Sequence, residues 1–136
     1  PDPLPEARLV TDAGLALIGF SGSPIYSRRG HEVPASRMWM RAVLGAWRAR
    51  GRRPVLVISH APARGINDDN DPAHRGFTAF RWLVDRLAPP LWLHGHTALM
   101  RRGLDGRCAR HDGTLFYNCT GATLIELVPP GADADG

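Results

Sequence analysis

The sequence predicts an α/β fold built around one strand-helix-strand unit, and three observations predict it. Two short apolar runs, Val55-Leu56-Val57-Ile58 and Leu91-Trp92-Leu93, lead straight into histidine, at Ser59-His60-Ala61-Pro62 and at His94-Gly95-His96-Thr97. Continuous apolar runs of this kind read as strands buried on both faces. Between them Phe77, Phe80, Leu83, Val84 and Leu87 fall on one helical stripe, with Arg81, Asp85 and Arg86 off it. Such a crossover makes its strands parallel, with a right-handed connection. Their carboxyl ends then share the sheet edge where open α/β sheets hold ligands, which brings His60 to the His94-Gly95-His96 turn.

The remaining elements follow in chain order. Residues 1–6 are proline-rich and predict an irregular arm, and the lack of a methionine at Pro1 predicts a fragment or a processed product. Ala7-Arg8-Leu9-Val10 and Leu15 to Phe20 read as strands around a Thr11-Asp12-Ala13-Gly14 turn. The glycines and proline of 21–33 predict loop. Pro34 suits the first turn of a helix, with Met38, Val43, Leu44 and Trp47 as its apolar stripe and Gly51 as its stop. Asp112-Gly113 is a tight-turn sequence between strands at 107–111 and 114–118. A last strand is expected at Thr123 to Val128, halted by Pro129-Pro130, with 131–136 as a disordered tail. The expected architecture is a single domain over 7–130, a βαβ crossover unit followed by an antiparallel meander.

Composition narrows the function classes. A chain of 136 residues, 43% hydrophobic and 22% charged, supports one soluble domain. No apolar run is long enough to span a bilayer and no signal-peptide pattern opens the chain, so a cytoplasmic protein with no membrane partner is expected. All 17 basic residues are arginine, which fits the codon bias of a GC-rich bacterial genome, and the net charge is +4. Nucleic-acid binding needs clustered cations, whereas these arginines are scattered. Cys108 and Cys119 make no framework and are expected as free thiols, since the 112–113 turn sets Cys108 opposite Tyr117.

Histidine at a buried strand end serves as metal ligand, general base or structural cap. Three of them on two adjacent parallel strand ends favour chemistry. In His94-Gly95-His96 the glycine lets the backbone bend, and the neighbouring imidazoles are expected on opposite sides of that bend, so one faces the site and the other braces the loop. The connection 61–75 is long enough to expect function and carries Asn67, Asp68, Asp69, Asn70, Asp71 and His74. It lacks the glycine and closing glutamate of a calcium loop, and a solvated acidic loop competes with a role at the site. His74, just before Gly76, is also a natural helix-start position. Asn118-Cys119-Thr120 is discounted as a glycosylation acceptor because it lies in an expected strand.

Ser59-His60-Ala61-Pro62, the acidic loop running to His74-Arg75-Gly76, and Leu93-His94-Gly95-His96-Thr97 together resemble the C-terminal half of calcineurin-like metallophosphoesterases. The likeness extends to the Thr114–Asn118 strand with the Leu124-Ile125-Glu126-Leu127 run, and upstream to Ile18-Gly19-Phe20-Ser21-Gly22-Ser23. It implies half of an αββα sandwich and metal-dependent hydrolysis of phosphate esters by the parent protein. It implies His60 and His96 as ligands of one ion, with His94, His74, Asp71 and Arg64 as supporting or substrate-facing side chains. Complete members use two ions; Mn, Fe or Zn is expected, with at most one ion here. The family's second turn histidine is replaced by Ala98, and its upstream Asp-x-His and Gly-Asn-His motifs are absent, so no catalytic residue is assigned. A degenerate domain that binds phosphate ligands without turnover, and a basic nucleic-acid module, remain as alternatives. The missing half would leave a sheet edge uncovered and promote self-association.

Overall fold

The computed structural model describes residues 7–12, 14–28, 30–97 and 104–128. The expected arm at 1–6, the tail at 131–136, Pro129-Pro130 and Ala98 lie outside the described residues. The strands are β1 (Ala7–Asp12), β2 (Leu15–Phe20), β3 (Ser23–Pro24), β4 (Glu32–Val33), β5 (Val55–Ser59), β6 (Leu91–His94), β7 (Cys108–His111) and β8 (Thr114–Asn118). The helices are α1 (Ala35–Arg48) and α2 (Thr78–Leu87), and Leu104–Arg107 is a 3₁₀ turn. Six strands form one sheet in the order β1-β2-β5-β6-β8-β7, and β3 pairs β4 in a small parallel bridge.

β2, β5, β6 and β8 run parallel, while β1 and β7 close the two edges antiparallel. The expected crossover is present, with Ser59 level with His94 in the β5–β6 ladder. α1 links β2 to β5 and α2 links β5 to β6. Two crossovers of one hand, stepping the same way across a sheet, put both helices on one face, and α1 indeed packs on α2. Under them Ile18, Val57, Phe80, Leu83, Trp92 and Phe116 are buried. Phe80 is the hub, with ring centroids 5.1 Å from Phe20, 5.1 Å from Phe77 and 5.4 Å from Trp92. Trp92 carries a polar handle into this core, and its Nε1–H donates to Ser59 Oγ at 2.8 Å.

Four expectations need correction. The C-terminal third is not an antiparallel meander: β8 lies parallel to β6, and only β7–β8 is a hairpin. Inserting β8 beside β6 satisfies the free edge of β6, which a local hairpin alone would leave open. No strand forms over Thr123 to Val128; Leu124 is 98% exposed, because both β6 and β8 already have partners on each side. The central strands are not closed over on both faces. Among the described residues no helix covers the second face, and Ile58 is 41% exposed there.

The fourth correction concerns α1. Its buried residues are Met38, Ala42, Gly45 and Ala46, whereas Val43 and Trp47 of the expected stripe point outward. Small residues let the helix sit close to the sheet. A Cβ on Gly45 would stand 2.9 Å from Phe20 Cζ. α2 instead buries the predicted Phe80, Leu83, Val84 and Leu87, and ends on Ala88 in the left-handed region.

Candidate metal centre at the carboxyl edge of the sheet

The parallel ladder brings His60 and the His94-Gly95-His96 turn to one edge, and backbone bonds lock them together. Gly95 N donates to His60 O at 3.0 Å, and Cys119 N donates to His94 O at 2.7 Å. The His60 and His96 rings then lie 4.7 Å apart between centroids, tilted by 53°. His74 of the long loop completes the group, its ring 5.7 Å from that of His96. Tyr26, from the 21–33 loop, stands 6.4 Å from His96 on another side.

The loop is held rather than floppy. Its ends cross where Arg64 N donates to Phe77 O and Phe77 N to Pro62 O, each at 3.1 Å. Gly76 is required at that crossing, since a Cβ there would meet Ala63 C at 2.5 Å. Asp68 staples the base: its carboxylate accepts Gly65 N and Gly76 N, each at 3.0 Å, and pairs with Arg64 at 2.8 Å. Arg64 is thereby committed to the loop.

The loop also orients two imidazoles. Asp71 accepts a hydrogen bond from His74 Nδ1 at 2.9 Å, besides those from Ala73 N and His74 N. The ring nitrogen Nε2 of His96 donates to the Ala73 carbonyl. Each interaction fixes one proton and leaves the opposite nitrogen with its lone pair, Nε2 on His74 and Nδ1 on His96. His96 holds φ of 66°, a left-handed conformation that costs a non-glycine residue about 1 kcal/mol or more.

His94 has the opposite fate. It is 2% exposed; its Nε2 accepts from Asn67 Nδ2 at 3.1 Å and its Nδ1 donates to Gly95 O at 2.9 Å. Both nitrogens are spent, so His94 braces the loop. Asn118 braces the turn from β8, with Nδ2 on Thr97 Oγ1 at 2.6 Å and Oδ1 accepting from Thr120 N. That engagement also removes it as a sugar acceptor. His111 sits at the far edge of the sheet, 3.1 Å from Asp85.

Electrostatics follows from the crowding. Burial holds the His96 imidazolium below its ordinary range, and charge on His60, His74 and His31 pushes the same way, against the Ala73 hydrogen bond. His60 is open on one side, yet loss of water on the other lowers its pKa, helped by His31. The His74 hydrogen bond lowers Asp71. Depressed imidazoles are neutral imidazoles, which is the ligand form.

His96 Nδ1 and His74 Nε2 are oriented lone pairs beside His60. The ligand atoms of the three rings do not all lie within 4.8 Å of one another, so as they stand the rings are not a closed ligand set. Among the described residues the compact groups are Asp69, Asp71 and His74 next to this site, and Asp85, His111 and Asp112 at the far edge. In the first, Asp71 already accepts from His74 and from backbone N–H groups. Sequence reasoning missed the Ala73 carbonyl, Tyr26 and His31, and it named Asn67 in the loop without its bond to His94. A backbone carbonyl has no sequence signal, and Tyr26 and His31 lie in a stretch with no periodicity.

No protein-family model matches the chain and no curated protein matches it. A solved crystal structure shares the fold, with a TM-score of 0.57 and 19% identity over 84% of this chain. The chain spans 44% of that structure's length. At this identity the likeness is one of fold alone: a mixed α/β architecture with a mostly parallel sheet.

Proposed function

We propose that this chain supplies the histidine half of a metallophosphoesterase-type centre, in a parent protein that hydrolyses phosphate esters. One divalent ion, Mn, Fe or Zn, is held by His60 and His96 with His74 beside them. The observation that carries the reading is the gathering of these three rings, two of them with one nitrogen already tied to an acceptor. Orienting bonds of that kind are what metal-ligating histidines make, and they are unneeded for surface histidines. An ion there would polarise a phosphoryl oxygen and acidify a bound water. Asp71 and Ala73 keep the imidazoles in the ligand tautomer, and His94 keeps the turn in place. The sequence motifs shared with metallophosphoesterases supply the choice of phosphate ester over other substrates.

The test is titration calorimetry with zinc on the parent chain and three variants. The parent is expected to bind one ion weakly, and His60→Ala and His96→Ala each to lose it. His111→Ala, which breaks up the separate Asp85, His111 and Asp112 group at the opposite edge, is expected to leave this ion bound as in the parent. Equal binding by all four proteins would remove the site. Two tightly bound ions would show that further ligands exist. Turnover of p-nitrophenyl phosphate by this chain alone is expected to be absent, because the Asp-x-His and Gly-Asn-His motifs of the resembled family do not occur in its sequence.

A further inference from the structure

The outward face of α1 has no role in the centre just described. Trp39, Met40, Val43 and Trp47 are 37%, 59%, 52% and 64% exposed, and with Leu44 they form a shallow apolar patch. At helical spacing these residues sweep an arc of roughly 140°. Arg37, Arg48 and Arg41 follow beyond Leu44, while on the α2 side the cation comes from Arg50, just past the helix end. Arg86 of α2 adds a cation across the cleft that Trp47 and Trp82 wall. Between Glu32 and Asp68 the chain holds seven arginines and no acidic residue.

Three features select the occupant. The patch is the convex back of a helix, which suits a plane better than a partner's inserted side chain. Its rim is cationic on both sides, so a second copy of the same face would bring like charges together. Its apolar residues include tryptophan at each end, the side chain that prefers the boundary between headgroups and acyl chains. We propose that α1 is a peripheral docking surface for an anionic phospholipid bilayer. The helix lies in the headgroup plane, Met40, Val43 and Trp47 reach the acyl boundary, and Arg37 and Arg50 meet lipid phosphates. The absence of a spanning helix among the described residues does not bear on this, because lying on a bilayer needs only one amphipathic face.

Vesicle co-sedimentation of the whole chain tests it, with phosphatidylcholine vesicles made with and without phosphatidylglycerol. Binding to the anionic vesicles should be tighter by about a hundredfold, as expected for two or three arginines near the surface. It should collapse at about 1 M salt, where screening acts within ~3 Å. Met40→Ser with Trp47→Ser should remove binding, and Arg37→Glu with Arg50→Glu should remove the preference for anionic lipid. All four side chains are outside the core, and circular dichroism should show both variants folded. Leu124→Ser with Leu127→Ser, on the exposed C-terminal segment, should bind like the parent. Equal binding to both vesicle types, no binding to either, or loss of binding only in the Leu124/Leu127 variant would overturn the proposal. So would a dimer broken by the Met40/Trp47 variant in a chain that ignores vesicles, which would assign the face to a second copy.

Discussion

At the His94-Gly95-His96 turn, β6 ends at His94 and His96 takes a left-handed φ of 66°, so the two imidazoles part company, although strand alternation alone would put residues two apart on one face. His94 then spends both nitrogens on Asn67 and Gly95, whereas His96 keeps Nδ1 open. The two substitutions therefore separate. His94→Ala leaves buried partners unpaired and should cost about 1–3 kcal/mol in urea denaturation. His96→Ala should cost little stability yet lose zinc; the reverse pattern would exchange the roles assigned here. Asp71→Asn keeps the shape but weakens the hold on His74, and zinc affinity should fall about 10- to 100-fold by calorimetry.

The same residues predict a pH dependence. His60 and His96 titrate below the ordinary histidine range in the fold, first because of burial. Between the unfolded and folded values, the unfolded chain binds more protons than the native one. Stability is therefore complete above the unfolded value of about 6.5 and is lost as the pH falls through the lower folded values. Zinc binding should likewise persist somewhat below pH 6.5 before protons displace the ion. Denaturation curves from pH 7.5 downward check the first statement. A rise in stability on acidification would contradict it.

At the scale of elements, the 61–77 loop shows why a long connection can be precise. Its crossing at Ala63 and Gly76 leaves no room for a methyl group, because the atom a Cβ would strike is backbone. Gly76→Ala should destabilise by about 1–3 kcal/mol in thermal unfolding and weaken zinc binding with it, since His74 and Ala73 hang from that crossing. Gly113→Ala meets no atom within 4 Å and strains only its own φ of +84°. It should cost less and leave zinc binding intact. The α2 stripe was legible in the sequence because large residues marked it. The α1 stripe is legible only at Met38 for the same reason: the rest of the face that packs is Ala42, Gly45 and Ala46, and small residues carry little periodic signal.

For the whole molecule, one face of the sheet is roofed by helices and the other is not, among the described residues. Ile58 is exposed there at 41%, and a cavity of about 400 Å³ opens beside His60, lined also by Leu93, Thr123 and Ile125. Leu127 and Val128 of the unpaired segment are 51% and 54% exposed. An apolar sheet face of this kind promotes association. Light scattering should show this chain self-associating as its concentration rises. A monomer over a wide range would mean that the face is adequately covered. Cys108 pairs across the hairpin with Tyr117 rather than with Cys119, and both thiols are free. Thiol titration in denaturant without reductant should therefore count both.

The sequence by itself determined the strand-helix-strand unit, the two hairpins and the meeting of His60 with the His94-Gly95-His96 turn. Those follow from local periodicity, from turn chemistry at Asp112-Gly113, and from the rule that a helical crossover makes its strands parallel. Only the tertiary structure decided that β8 lies parallel to β6, that Thr123 to Val128 stays unpaired, and that α1 buries its small face. It alone set Asp71 on His74 and the Ala73 carbonyl on His96. Each of these depends on what stands across a contact between segments distant in the chain, and a residue's own neighbours in sequence carry no record of that partner.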